Sequence, residues 1–305
     1  MSHFGPDEAI ARIDDWKGKD VRYEELGGGI TNHNYIVWVD GGPPKGDKYV
    51  LRVPGQGTDM FIDRNVERDC MIQADKVGVG PRVAYQIDPE GSLVIDFVEG
   101  EIMHPDTIAG HPERIKQIVE TVKIFHERAV FKNRIALFDM LRKYTKIARD
   151  VNAPMPPELE SLLLEMDVIE KATAVRPPAD VACHNDLLSE NFIVDADGKM
   201  WVIDWEYGGM TDPYFDLGDF CVEHPLTVAE EKLVLSAYCG GMDEHRYARM
   251  QLHKLVADLW WSIWAMIQAT VSKLDFDFYE YGMNRMLRFQ SNAANADYEA
   301  WLEAV

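Results

Sequence analysis

The residues best suited to chemistry in this 305-residue chain lie between His184 and Asp204. The stretch reads His184-Asn185-Asp186-Leu187-Leu188-Ser189-Glu190-Asn191, then Phe192-Ile193-Val194, Asp195-Ala196-Asp197-Gly198 and Met200-Trp201-Val202-Ile203-Asp204. Asp-Gly between two apolar runs predicts a tight hairpin. Such a hairpin carries Asp204, at the end of its second strand, back toward Asp186 and Asn191, which precede its first. Three oxygen-bearing side chains then converge at one end of a rigid ribbon. A carboxylate there can face a hydroxyl and take its proton, while an amide and a second carboxylate hold Mg²⁺ on nucleotide phosphates. Those are the requirements of phosphoryl transfer. Asp and Asn also cap turns, but the added His, Leu, hairpin and terminal Asp favour the catalytic reading.

The flanking sequence supplies the elements that must position this ribbon. From Val21 to Phe97 the text alternates like strands and turns. Tyr35–Val39, Tyr49–Val53, Val83–Ile87 and Leu93–Phe97 are predicted strands, and 65–76 is a predicted helix stopped by Gly78, Gly80 and Pro81. After Gly100 the apolar period lengthens: Ile115, Ile118, Val119, Val122 and Phe125 recur at helical spacing. Prolines at 154, 156 and 157 precede a predicted helix over 158–172, and a long helical tail is expected from about residue 228. The outline is a β-rich lobe over 1–98, then a helical lobe over 99–305 with the hairpin embedded in it.

Composition narrows the function further. Thirty-one basic against 52 acidic side chains give a formal net charge of −21. That balance argues against a nucleic-acid or anionic-membrane binder, which needs a basic surface, and suits a cationic substrate or a divalent metal. Four cysteines without C-x-x-C spacing disfavour a zinc site or a disulfide scaffold. The N-terminal residues lack the basic and apolar regions of a signal peptide, and no apolar run reaches the roughly 18 residues of a membrane span. A soluble, cytoplasmic protein is expected.

The spacing H-x-D-x-x-x-x-N followed by a metal-ligating Asp is similar to the protein-kinase catalytic loop, with Asn185 after His184 and Trp205-Glu206 after Asp204 as departures. Together with Ile203-Asp204-Trp205-Glu206-Tyr207 and Phe215-Asp216-Leu217-Gly218-Asp219-Phe220…Glu223, the motif resembles the choline/ethanolamine kinase family. That family belongs to the wider aminoglycoside-phosphotransferase-like group. The resemblance implies an α+β, protein-kinase-like bilobal fold with a small β-rich N-lobe and a larger, mostly helical C-lobe. It implies ATP- and Mg²⁺-dependent phosphorylation of choline to phosphocholine, a phospholipid precursor, with Asp186 as the catalytic base and Asn191 and Asp204 as metal ligands. His184 and Asp216 are read as supports of the loop, and His33, His126 and His253 as structural or surface residues.

The same resemblance assigns the remaining site. Leu26 to Tyr35 resembles a phosphate-covering loop in which Gly28 and Gly29 admit close backbone approach, and Thr31 and Asn32 add donors. Arg52 stands where kinases keep a phosphate-binding strand lysine. Glu67 is its implied partner, with Asp63 and Asp69 as competitors, and Phe97-Val98 resembles the hinge that meets adenine. Trp261 and Trp264, one helical turn apart, with Tyr281 after them, resemble the aromatic box for a trimethylammonium head. Tyr207 and Glu223 complete it by carry-over. An aromatic stripe at helical spacing usually packs a core, and Trp260, Phe276 and Phe278 are placed there. The expected partners are therefore ATP and a small amino alcohol, not nucleic acid or membrane. Ethanolamine is the close alternative acceptor, followed by an aminoglycoside or a sugar. A catalytically silent binding module with the same fold is the rival from a different class.

Overall fold

The computed structural model describes residues 4–27, 32–41, 46–55, 62–89 and 91–305. Its contacts divide the chain into two compact units: Met1–Ile102 with Asn191–Gly208, and Met103–Glu190 with Gly209–Val305. The division thus falls at residue 102 where the sequence suggested 98, and the hairpin groups with the first unit.

In the first unit, α1 (Pro6–Ala11) leads to five antiparallel strands, β1 (Val21–Leu26), β2 (Asn32–Val39), β3 (Asp47–Pro54), β4 (Val83–Ile87) and β5 (Ser92–Asp96), in spatial order β1-β2-β3-β5-β4. Alternate residues of a strand share a face. Val37 and Val39 on β2 and Leu51 and Val53 on β3 therefore meet Ala9, Ile13 and Trp16 in one core. Helix α2 (Arg64–Lys76) begins at Asp63, whose carboxylate accepts the N–H groups of Asn65 and Val66.

A second small sheet joins β6 (Gly100–Ile102) to the predicted hairpin, β8 (Phe192–Asp195) and β9 (Met200–Val202). The hairpin turn is built as its sequence dictates. Gly198 adopts φ +80°, and the Asp195 carboxylate accepts the N–H groups of Asp197 and Lys199 and the indole N–H of Trp201. Val202 N–H then bonds the Val79 carbonyl at 2.8 Å, fixing the hairpin to the segment after α2.

The second unit holds α3 (Pro112–Arg128), α4 (Leu137–Asp150), α5 (Leu159–Thr173), β7 (Val181–Cys183), β10 (Gly209–Thr211) and α6 (Pro213–Glu223). It continues with α7 (Val228–Cys239), α8 (Glu244–Val271), α9 (Phe278–Ala293) and α10 (Tyr298–Ala304). The expected helical tail is four helices, because Gly240 closes α7 in a left-handed conformation and Asp243 and Asp277 cap fresh starts for α8 and α9. Trp260 lies in the core against Tyr144 and Phe215, as its spacing suggested, and Phe278 is buried. Phe276 is not: it sits in the connection before α9, 55% exposed. Among the described residues no helix is long and apolar enough to cross a membrane.

Helices α6 and α8 meet at Gly218, where a Cβ atom would lie 2.8 Å from the α8 backbone at His253 and Lys254. Neither backbone atom can swing aside as a side chain could. Gly218→Ala should therefore separate the helices and cost about 1–3 kcal/mol, seen as a lowered Tm. An unchanged Tm would show slack between α6 and α8.

Candidate active site

Arg52 occupies the middle of β3, opposite Asn34 on β2 and Leu93 on β5, with its side chain almost wholly buried. Its guanidinium pairs with Glu67 on α2 at 2.9 Å and with Asp204, just beyond β9, at 2.6 Å. The other oxygen of Glu67 meets Arg64 at 2.7 Å, and Arg64 in turn donates to the Asn32 amide oxygen at 3.0 Å. Asn32 donates to Glu206 at 3.2 Å. Carboxylate oxygens of Glu67, Asp204 and Glu206 all lie within 4.8 Å of one another. Burial opposes the charge of Arg52, but Asp204 and Glu67 outweigh it and hold the guanidinium above its ordinary range.

Asn191 and Asp204 sit at the same end of the hairpin, where Ile203 N–H bonds the Asn191 carbonyl at 3.0 Å. An amide oxygen and carboxylates are hard oxygen donors, the set that suits Mg²⁺. Phe97 and Val98 follow β5 and border a cavity of about 380 Å³ with Gly80, Pro81, Asp195 and Trp201. That cavity lacks Arg52, Asn191 and Asp204, so the charged network rather than the cavity marks the chemistry. Gly28, Gly29 and Thr31 lie outside the described residues. Tyr207 is buried in the first unit.

In the second unit the loop after β7 is held from below by α6. Asp216 accepts the N–H groups of His184 and Asn185 at 2.8 and 2.7 Å and the His126 ring at 2.9 Å. Asp219 accepts Leu187 N–H at 2.8 Å. Asp186, between these anchored residues, is half-buried.

Trp261 and Trp264 project from α8 with ring centroids 5.7 Å apart and planes at 80°, and Trp264 meets Phe278 edge-on. The Trp261 indole N–H donates to Asp219 at 2.9 Å; that of the buried Trp264 has no partner among the described residues. Tyr281, on α9, is stacked by Arg285, whose guanidinium carbon lies 4.5 Å from the ring centroid. Arg285 also donates to the Tyr281 hydroxyl and is ion-paired with Glu223 at the end of α6. Burial, then Glu223, push the Tyr281 phenol above its ordinary pKa; Arg285 opposes them and the Asp186 charge adds to the rise.

A model of the choline/ethanolamine kinase family matches residues 23–235. The chain belongs to that family. A solved choline/ethanolamine kinase family protein from Mesorhizobium loti is 30% identical, with a TM-score of 0.82 over 97% of this chain and 96% of its own. LicA in complex with AMP is 25% identical, with a TM-score of 0.74 over 91% and 93%. Ethanolamine kinase 2 of Mus musculus is 26% identical over 90% of this chain and 77% of its own length. The chain is thus a phosphotransferase with an alcohol group as acceptor, an ATP-using kinase with the protein-kinase-like fold that its motifs implied.

Four residues of this kinase were given no role by the sequence reading: Arg64, Glu206, Asp219 and Arg285. Two left a signal. Asp219 and Glu223 share a helix face with Asp216, and Arg285 is one turn beyond Tyr281. Glu206 stood in the quoted motif beside Asp204 without a partner to give it a role, and Arg64 is joined to it through Asn32, a contact distant in sequence.

The Arg52 network generates a test. Arg52→Met leaves Glu67 buried against Arg64 alone and strands Asp204, so about 3–5 kcal/mol of stability should be lost. Arg52→Lys should restore only part, because a compact ammonium is more strongly hydrated than the planar guanidinium and costs more to bury. Urea denaturation midpoints in the order wild type, Lys, Met are expected; equal midpoints would show that the pairs are not formed in solution.

Proposed function

We propose that this kinase phosphorylates the hydroxyl of choline, with ATP-Mg²⁺ as donor, in a cytoplasmic setting. The observation that supports choline best is the state of Glu223. Its carboxylate already meets the buried Arg285, so it offers little to a primary ammonium, which needs hydrogen-bond acceptors. A trimethylammonium needs none and is held by aromatic faces. Trp261, Trp264 and Tyr281 supply such faces, with Tyr207 added by the family motif.

In this reading Asp186 orients the acceptor hydroxyl and takes its proton as the new O–P bond forms. Asn191 and Asp204 would hold Mg²⁺, which when bound neutralises phosphate charge. Arg52, fixed by Glu67, would meet the phosphates along with Asn32, a role the family resemblance also gives to Gly28, Gly29 and Thr31, while Phe97 and Val98 present backbone groups to adenine. Nucleotide contacts belong to the lobe of residues 1–98, catalysis and the acceptor to 99–305. Catalysis is then mainly positioning and charge neutralisation. The three groups whose loss would mark a silent module, Asp186, Asn191 and Asp204, are all present.

Asp186→Asn keeps the shape and deletes the proton acceptor, a role worth about 10²–10⁴ in rate. ADP release in the presence of choline should fall by that factor while ATP binding and Tm stay near wild type. A folded variant with near wild-type turnover would remove Asp186 from the mechanism.

The acceptor is tested by a panel of choline, ethanolamine and the uncharged isostere 3,3-dimethylbutanol. Choline should be turned over best and the neutral alcohol far worse. A cation over a ring gains about 0.5–2 kcal/mol, so Trp264→Ala should raise the choline KM by about 2-fold to 30-fold. Trp264→Phe should recover much of it, with ATP unaffected. An unchanged choline KM in Trp264→Ala would place the tryptophan in the core, and a strong preference for ethanolamine would transfer the function to that acceptor.

A further inference from the structure

Asp219 is fully buried on α6, and its two carboxylate oxygens serve two different parts of the site. One accepts the N–H of Leu187, the peptide immediately after Asp186, at 2.8 Å. The other accepts the indole N–H of Trp261 on α8 at 2.9 Å. A carboxylate removed from water is costly unless it is hydrogen-bonded, so both bonds have strong reason to persist. Burial and the charge of Glu223 push this carboxyl up, in keeping with a group held by neutral donors.

We propose that Asp219 is a positioning residue that ties the catalytic loop to the aromatic wall and thereby sets the length of alcohol the enzyme accepts. The inference rests on the amino-alcohol kinase reading. A two-carbon amino alcohol has few torsions. With its cationic head on the Trp261 and Trp264 rings, its hydroxyl reaches Asp186 only if base and rings are held at the right separation. Two hydrogen bonds to one carboxylate fix that separation, and loosening either one relaxes it. Nothing else joins Leu187 and Trp261 so directly among the bonds described for this unit.

The test compares wild type, Asp219→Asn, Trp261→Phe and the double variant. Asn has one acceptor oxygen and must turn its NH₂ toward one of the two donors, so one bond is lost. Phe keeps a ring but removes the indole donor. A misplacement on the order of 1 Å can cost about 100-fold in rate. Each single variant should therefore lower kcat with choline by about 10-fold to 100-fold and leave the KM for ATP within about 2-fold. Each should also narrow the preference for choline over its three-carbon homologue. The double variant should fall no further than the worse single one, since both cut the same link. Additive losses, or an unchanged chain-length preference, would overturn the proposal.

Should Asp219→Asn fail to fold, Trp261→Phe alone decides through the same kcat and chain-length readings. A readout independent of turnover separates this proposal from the function it rests on. In ¹⁵N NMR of the unliganded enzyme, Trp261→Phe should shift the Leu187 amide, because the shared acceptor is released. A Leu187 amide that stays in place means there is no tether. If wild type phosphorylates no amino alcohol yet the amide shifts, the tether stands and the assigned acceptor falls, and with it the role in chain-length selection.

Discussion

The second unit is organised by a row of buried carboxylates along one face of α6. Asp212, Asp216, Asp219 and Glu223 are spaced by four, three and four residues, so they stack on a single side of the helix. Each is met by a different part of the unit. Asp212 caps the helix by accepting Tyr214 N–H, and it receives Arg249 and His253 from α8. Burial would raise its pKa, but His253 and Arg249 hold it below the usual carboxylate range. Asp216 takes the backbone of His184 and Asn185 together with His126, Asp219 takes Leu187 and Trp261, and Glu223 takes Arg285 from α9. An unpaired buried carboxylate costs several kcal/mol. The loop, α8 and α9 must therefore present their donors at these four heights, and the positions of Asp186, Trp261 and Tyr281 follow from that demand.

This row also explains part of the acidic composition. A net charge of −21 suggests a surface dressed in carboxylates, yet several acidic residues do interior work. Asp216, Asp219 and Asp258 are fully buried, and Glu67 nearly so. Such groups favour one arrangement over its alternatives because any other packing leaves a charge unmet. The same logic governs the first unit, where Glu67 lies between Arg52 and Arg64 and only one placement of α2 against β3 satisfies both.

Most of the fold was legible because its signals are local. Alternating apolar residues, the Asp-Gly turn and the proline breaks mark the strands, hairpin and helices named from sequence within about three residues of where they stand. Asp186, Asn191 and Asp204 could be picked out for the same reason, as in sequence they flank one short hairpin. The partner of Arg52 came from family resemblance. It is Glu67 rather than Asp63 because Asp63 is committed to capping α2. What could not be read depends on which helix faces meet. Trp260, Trp261 and Trp264 are equally tryptophan in the text; one packs the core beside Phe215, one bonds Asp219, and one meets Phe278 edge-on. Phe276 was expected in the core and lies in the connection between α8 and α9, where no neighbour is obliged to cover it.

The Glu223–Arg285 pair bears on how the proposed acceptor site would recognise a cation. From sequence, Glu223 supplies a net negative charge to the substrate head. Paired with Arg285, that charge is largely cancelled at short range, and the guanidinium also takes one face of Tyr281. A second buried acid, Asp258, stands 3.8 Å from Arg285 and is shared with Arg288. With the carboxylates so committed, cation selectivity in the proposed acceptor site would rest on the aromatic rings and on the charge of Asp186. Ring quadrupoles attract a diffuse quaternary cation without asking it for hydrogen bonds, whereas a compact ammonium gives up water that a pocket of ring faces would not replace. The ion pair that anchors α9 to α6 would then also bias the proposed pocket toward a quaternary acceptor, so that architecture and substrate choice would depend on the same side chains.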